Sequence, residues 1–193
     1  MVTSVEQGRE TRERLMEAAL ELIAERGWGA VTTRMVAERA GLRPGLVHYH
    51  FTSVNDLLID ASLWMVRGLG ESAATGPLAR SGGAGITEVL QMTAALTDTD
   101  RDTRVFTEML LAATRYERLR IGLGEVLREF RAAVAAWLRA EAAVPDAEAT
   151  AAVLVAAFEG MILHRLIDPD LRELRIDGPL RRLAGLSGEK GEN

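Results

Sequence analysis

The chain has 193 residues, 48% of them hydrophobic, no cysteine, and a formal net charge of −5. This is enough apolar material for a core without covalent staples, and the missing thiols exclude disulfides, thiolate zinc sites and cysteine nucleophiles. No basic-then-apolar leader pattern and no window of roughly 18 uncharged apolar residues is present, so a soluble, cytoplasmic protein without membrane contact is expected.

The charge is unevenly spread. Residues 1–55 hold seven Arg against seven Asp or Glu, so the whole deficit falls in the remaining 138 residues. Within 32–52, Arg34, Arg39 and Arg43 stand against Glu38 alone. A small basic face on an acidic body is compatible with a nucleic-acid partner, because the field at the contact surface is the one that counts.

Abundant Ala, Leu, Arg and Glu, with apolar residues at spacings of three and four, predict an all-α protein. A first helix over about 9–26 carries the stripe Leu15, Ala18, Ala19, Leu22 and Ile23, keeps Glu10, Glu13, Glu17 and Glu21 on other faces, and stops at Gly27. In TTRMVAERAG, Thr32 or Thr33 can cap a short helix that turns Val36, Ala37 and Ala40 inward, and Gly41 can end it in the left-handed conformation. Pro44 suits the first turn of the next short helix, in which Leu46 or Val47 and Phe51 face the core. Ser53-Val54-Asn55-Asp56 resembles a capping box and opens a helix to about Arg67.

Residues 68–85, with six glycines and a proline, predict a loop and a domain seam. Further helices are expected at about 86–97, 101–115, 118–142 and 146–167, and Pro169 ends the run. A short helical turn and a disordered tail, GEKGEN, should follow.

Two short helices joined through Ala-Gly-Leu, with small Ala37 at the crossover and Gly41 in the turn, have the form of a helix-turn-helix. The wider run ALELIAERGWGAVTTRMVAERAGLRPGLVHYHFTSVNDLL, part of a match over about residues 9–60, resembles the DNA-binding domain of the tetracycline-repressor (TetR) family. The telling pieces are a first helix ending in Arg-Gly, Thr32-Thr33, Ala40-Gly41, Tyr49-His50-Phe51 and the Leu-bearing helix after them.

The resemblance implies an N-terminal three-helix helix-turn-helix domain, residues 1–53, and a larger helical ligand-binding and dimerisation domain, residues 54–193, joined by helix 53–67. It implies a repressor that binds a palindromic operator in double-stranded DNA as a homodimer and is released by a small effector, with no cofactor and no metal. Carried over by position, the recognition helix is 44–50. Arg43, Pro44, Gly45, Leu46 and His48 then lie near base edges and phosphates, with Thr33, Arg34, Tyr49 and His50 as further DNA contacts. The residue chemistry agrees: Arg reads guanine O6 and N7 bidentately, while Thr, Tyr and His donate to phosphate oxygens. Arg39 fits a solvated surface better than DNA contact.

The sequence departs from the family pattern at Arg43 (usually Ser or Thr), His48 (often Tyr) and Val54 (typically Lys, which meets a phosphate). An unusual operator preference or modest affinity is expected in consequence.

In the second half, helix 146–167 is apolar on nearly every side, and helix 118–142 offers Val126, Phe130, Val134, Trp137 and Leu138. Pairing both with their twofold mates predicts a four-helix interface through Phe130, Val134, Trp137, Val153, Ala157, Gly160 and Met161; the competing reading makes them plain monomer core. A pocket for an apolar or weakly polar ligand is expected among Trp64, Met92, Phe106, Met109, Leu110, Tyr116 and His164, residue types that serve equally as core.

Catalysis finds no support, since no phosphate loop, nucleophile elbow or HExxH occurs. A metal on His48 and His50 is disfavoured because i,i+2 side chains on a helix diverge. A non-DNA-binding interaction protein that keeps the fold is the other alternative.

Overall fold

The computed structural model describes residues 4–76, 88, 101–141 and 144–185, which form helices joined by short turns, with no strand among them. The order is α1 (Ser4–Arg26), a 3₁₀ turn (Trp28–Ala30), α2 (Thr33–Arg39), α3 (Pro44–His50), α4 (Val54–Thr75), α5 (Arg101–Ala113), α6 (Glu117–Glu141), α7 (Ala147–Ile167), a second 3₁₀ turn (Pro169–Arg172) and α8 (Asp177–Leu183). Apart from Glu88, which is helical, the helix expected at 86–97 lies outside the described residues, as does the GEKGEN tail. The chain packs as two compact units, one of residues 1–66 and 99–123 and the other of 67–98 and 124–193.

In the first unit the expected stripe of α1 is buried throughout, and Met16 and Leu20 join it. The apolar face is broader than one stripe because α1 packs on α2 and on α5. Leu15, Leu20 and Ile23, almost free of solvent, each contribute about 1.5–3 kcal/mol of burial before entropy is counted. Two of the glutamates on the other faces tie α1 to its neighbours: Glu21 pairs with Arg39 at 2.9 Å, and Glu17 pairs with Arg101 of α5.

α1 ends where Gly27 turns to φ 79°, ψ 156°, a region open essentially to glycine alone. Thr32 caps α2 by accepting the Met35 N–H at 3.3 Å. The far end of α2 closes as a Schellman motif: the Leu42 N–H donates to the Ala37 carbonyl at 2.8 Å and the Gly41 N–H to that of Glu38 at 3.1 Å, with Gly41 at φ 64°. Pro44 then starts α3, and buried Val47 and Phe51 anchor it.

Three boundaries differ from the sequence-based expectation. α1 begins at Ser4 instead of about residue 9, since nothing in 4–8 breaks a helix except one open Gly8. α4 runs to Thr75 instead of about Arg67. Gly68 and Gly70 cost only about 1 kcal/mol each inside a helix, and Leu69, Glu71, Ser72, Ala73 and Ala74 carry the propagation. α5 closes at Ala113, two residues early.

The second unit is built on Val134, Ala135, Trp137 and Leu138 of α6, Ala147, Ala151, Leu154 and Val155 of α7, and Leu180 with Ala184 from α8 and its end. Asp146 caps α7 by accepting the Ala149 N–H at 3.2 Å, and Pro169 stops it as expected. Among the described residues, α7 alone has the length and apolar composition to cross a membrane, yet Glu148, Glu159, His164 and Arg165 interrupt it, and it furnishes core to this unit.

Candidate nucleic-acid interface

α3 is seven residues long and shows solvent one face only. Val47 is buried and Leu46 half-buried, while Arg43, Pro44, Gly45, His48 and Tyr49 are exposed. His50 is half-buried, its ring edge-on to that of Tyr49 with centroids 5.0 Å apart. Tyr49 is 81% exposed, an unusual position for a large ring in a chain with only two tyrosines. On α2, Arg34 is exposed and Thr33 half-buried beside it.

The three arginines of this region differ in what holds them. Arg39 is pinned to α1, donating to both oxygens of Glu25 at 2.9 and 2.7 Å and to Glu21 at 2.9 Å. The hydrogen bonds to Glu25 and Glu21 raise the guanidinium above its ordinary range, and Arg39 in turn lowers the Glu25 carboxyl. No ion pair among the described residues engages Arg34 or Arg43, so both guanidinium groups stand ready for an incoming anion. Arg39 is thereby a brace of the domain, in keeping with its reading as surface.

The scaffold behind α3 includes residues that sequence spacing did not single out. Arg14 donates to the Ala40 carbonyl at 2.7 Å and so ties the turn to α1. The Arg12 guanidinium lies 4.8 Å above the centre of the Phe51 ring and donates to Asp60 at 2.5 Å. Ser53 caps α4, accepting the Asp56 N–H at 3.1 Å, but its hydroxyl donates to the Asp56 carboxylate at 2.8 Å. That departs from a full capping box, in which the acid would reach the Ser53 backbone N–H. Val54, where the resemblance leads one to expect Lys, is half-buried in the first turn of the same helix.

The remaining candidates are dispersed. Of the pocket set, Met109 is fully buried in the first unit, Phe106, Leu110 and Tyr116 are half-buried, and Trp64 is 45% exposed. The Tyr116 ring packs on Trp28 at 5.8 Å. His164, in the second unit, is exposed, and Met92 lies outside the described residues. Of the dimer set, Val134 and Trp137 belong to the core of their own unit with Phe130 and Ala157 packed against it; Val153 is 54% exposed, and Gly160 and Met161 are half-buried.

Comparison with known proteins agrees with this geometry. The family described as bacterial regulatory proteins, tetR family, matches residues 15–61, and the tetracyclin repressor-like C-terminal domain matches residues 80–186. An uncharacterized HTH-type transcriptional regulator of Mycobacterium tuberculosis is 29% identical over 189 residues, covering 90% of this chain and 93% of that protein. Two solved structures share the fold. A transcriptional regulator from Saccharomonospora viridis in complex with choline has a TM-score of 0.75 at 21% identity, covering 91% of this chain and 94% of its own. The complex of SmeT with triclosan has a TM-score of 0.73 at 21% identity, covering 94% and 93%.

Proposed function

The chain belongs to the TetR family of bacterial regulatory proteins, DNA-binding transcriptional regulators with a helix-turn-helix, and from that premise we propose that it is a ligand-responsive repressor. It acts in the cytoplasm as a homodimer on a palindromic operator, without catalysis, cofactor or metal. Residues 1–53 read the DNA, while residues 54–193 dimerise and receive the effector.

The observation that carries this reading is the exposed rim of α2 and α3. Among the described residues Arg34 and Arg43 have no ion-pair partner there, and His48 and Tyr49 lie in solvent beside them. Arg43 and His48 supply base-edge contacts; Thr33, Arg34, Tyr49 and His50 position the helix on phosphates. Gly45 lets the backbone approach closely, and Pro44 and Leu46 lie beside it near base edges and phosphates. Two such heads, related by a twofold axis, meet half-sites about 34–36 Å apart or multiples of this.

A small effector is supported by the fold shared with the choline and triclosan complexes. An apolar or weakly polar molecule suits Trp64, Phe106, Met109, Leu110 and Tyr116, with Met92 and His164 as further candidates. It releases DNA only if it binds the two states with different affinity. For dimerisation, the exposed Val153 with Ala157, Gly160 and Met161 of α7 is the contact face we favour; Phe130, Val134 and Trp137 support it from beneath.

Selection of bound DNA from a random library, followed by footprinting on the DNA flanking the gene, tests the reading. Sequence-selective, salt-sensitive binding to a palindrome is expected, and its absence would leave an interaction protein with a conserved fold. A compound screen for release from the selected DNA then identifies the effector class.

A further inference from the structure

We propose that Arg118, in the first turn of α6, is a positioning residue for DNA reading: it fixes Asp60, the carboxylate that holds Arg12 over Phe51 at the end of the recognition helix. The inference rests on α3 being the reading helix. Arg118 is outside the stretch that matches the DNA-binding family and inside the stretch that matches the C-terminal domain, yet it packs in the first unit.

The contacts form one chain of charges. Arg118 pairs with Asp60 and, at 3.4 Å, with Asp56. The two oxygens of Asp60 are divided between two arginines, Oδ1 to Arg118 and Oδ2 to Arg12. Arg12 lies over the Phe51 ring, and Phe51 is the residue that closes α3, its N–H donating to the Val47 carbonyl at 2.8 Å. Asp56 is also the acid held by the Ser53 hydroxyl at the start of α4. Arg118 therefore bridges two carboxylates: Asp60, which holds Arg12 over the last residue of the recognition segment, and Asp56, in the first turn of the following helix.

A lone surface ion pair would contribute almost nothing. This arrangement differs in that the Asp60 side chain is only 19% exposed and is gripped from both sides, which fixes the plane of its carboxylate and hence the direction in which Arg12 presents itself to Phe51. Without Arg118 the carboxylate is free to turn, and the seat of Phe51 loosens. Base-edge contacts are directional and suffer from such loosening, whereas attraction to phosphates at large is not directional. Arg118 thus sets specificity more than affinity.

The test compares the full-length protein with Arg118→Ala, Arg118→Lys and Arg118→Ala in an Asp60→Asn background, using the library-selected operator and a scrambled duplex. Arg118→Ala should bind the operator about three- to ten-fold more weakly, as coupling within a charge network allows, with unchanged salt slope and unchanged affinity for scrambled DNA. Arg118→Lys should recover part of the loss, and in the Asp60→Asn background the Ala substitution should add little. Hydrogen exchange supplies a readout without DNA: the Phe51 amide should exchange about ten-fold faster in Arg118→Ala, while amides of Leu20 and Ile23 in α1 keep their protection. Equal loss on both duplexes, or an unchanged Phe51 exchange rate, would overturn the proposal. If the wild-type protein selects no sequence, the DNA reading fails on its own account, and the exchange rates still decide whether Arg118 holds Phe51 in place.

Discussion

The Glu108 carboxylate accepts the backbone N–H of Trp28 at 2.8 Å across eighty positions of sequence, joining α5 to the turn that follows α1. The same carboxylate lies against Gly27, where an added Cβ would come 3.5 Å from Oε2. A backbone donor freed by the sharp turn at Gly27 is thereby satisfied by a side chain from the C-terminal half of the chain. Glu108→Ala should lower stability by about 1–2 kcal/mol in denaturant unfolding, while Glu108→Gln, which retains an acceptor oxygen, should lose less than half of that.

Of the three described glycines at positive φ, Gly27, Gly41 and Gly185, the two that flank the helix-turn-helix should respond unequally to alanine. Gly41, at φ 64°, occupies the left-handed helical region that costs other residues about 1–2 kcal/mol. Gly27, at φ 79° and ψ 156°, occupies a region nearly closed to them, and Gly27→Ala should cost about 2–3 kcal/mol. Urea midpoints at constant m-value provide the comparison.

The arginines of the reading rim should separate by salt titration. Arg34→Ala and Arg43→Ala are each expected to weaken operator binding; for whichever meets a phosphate, the slope of log affinity against log salt should shrink by about one unit. Arg39→Ala should leave that slope unchanged, because its guanidinium is already committed to Glu21 and Glu25. An unchanged affinity and slope for Arg43→Ala would remove it from the contact surface.

Core and interface roles in the second unit can be told apart in the same way. Trp137→Ala should cost about 3–5 kcal/mol of stability, since the ring is buried within its own unit. Val153→Asp, at a residue 54% exposed, should leave secondary structure intact and shift sedimentation toward the monomer. A Val153→Asp protein that remains dimeric at micromolar concentration would move the interface elsewhere.

Glu159 gives a signed pH dependence. Burial raises its carboxyl above the ordinary value of 4.5, and nearby Arg131 opposes the shift. The folded state therefore holds this proton more tightly than the unfolded chain does. The stabilisation is fully present below 4.5 and is lost as pH rises through the raised value. Glu159→Gln should consequently stabilise the protein at about pH 8 and change little below about pH 4, as read by thermal unfolding. The opposite ordering would mean that the charged form is the one favoured by the fold.

Local features of the DNA-binding region were legible residue by residue. Thr32, Gly41, Pro44 and Phe51 each act through their own backbone geometry or that of residues two to five positions away, so the cap, the Schellman turn, the start of α3 and its end could be read from the string. The reach of α4 past Arg67 was not legible, because Gly68 and Gly70 look like breaks in a string of letters, although in a solvated helix each carries only a modest cost.

The amino-acid sequence by itself determined the all-α class, the helix-turn-helix and the family, since these rest on short-range periodicity and on contiguous motifs. Only the tertiary structure decided which arginines are spoken for. Arg39 meets Glu21 and Glu25, Arg12 meets Asp60 and Phe51, and Arg118 meets Asp56 and Asp60, over separations of 14 to 62 residues. A charge with such a partner and a charge without one look the same in a string of letters; packing separates them by fixing which side chains share a face of the folded chain.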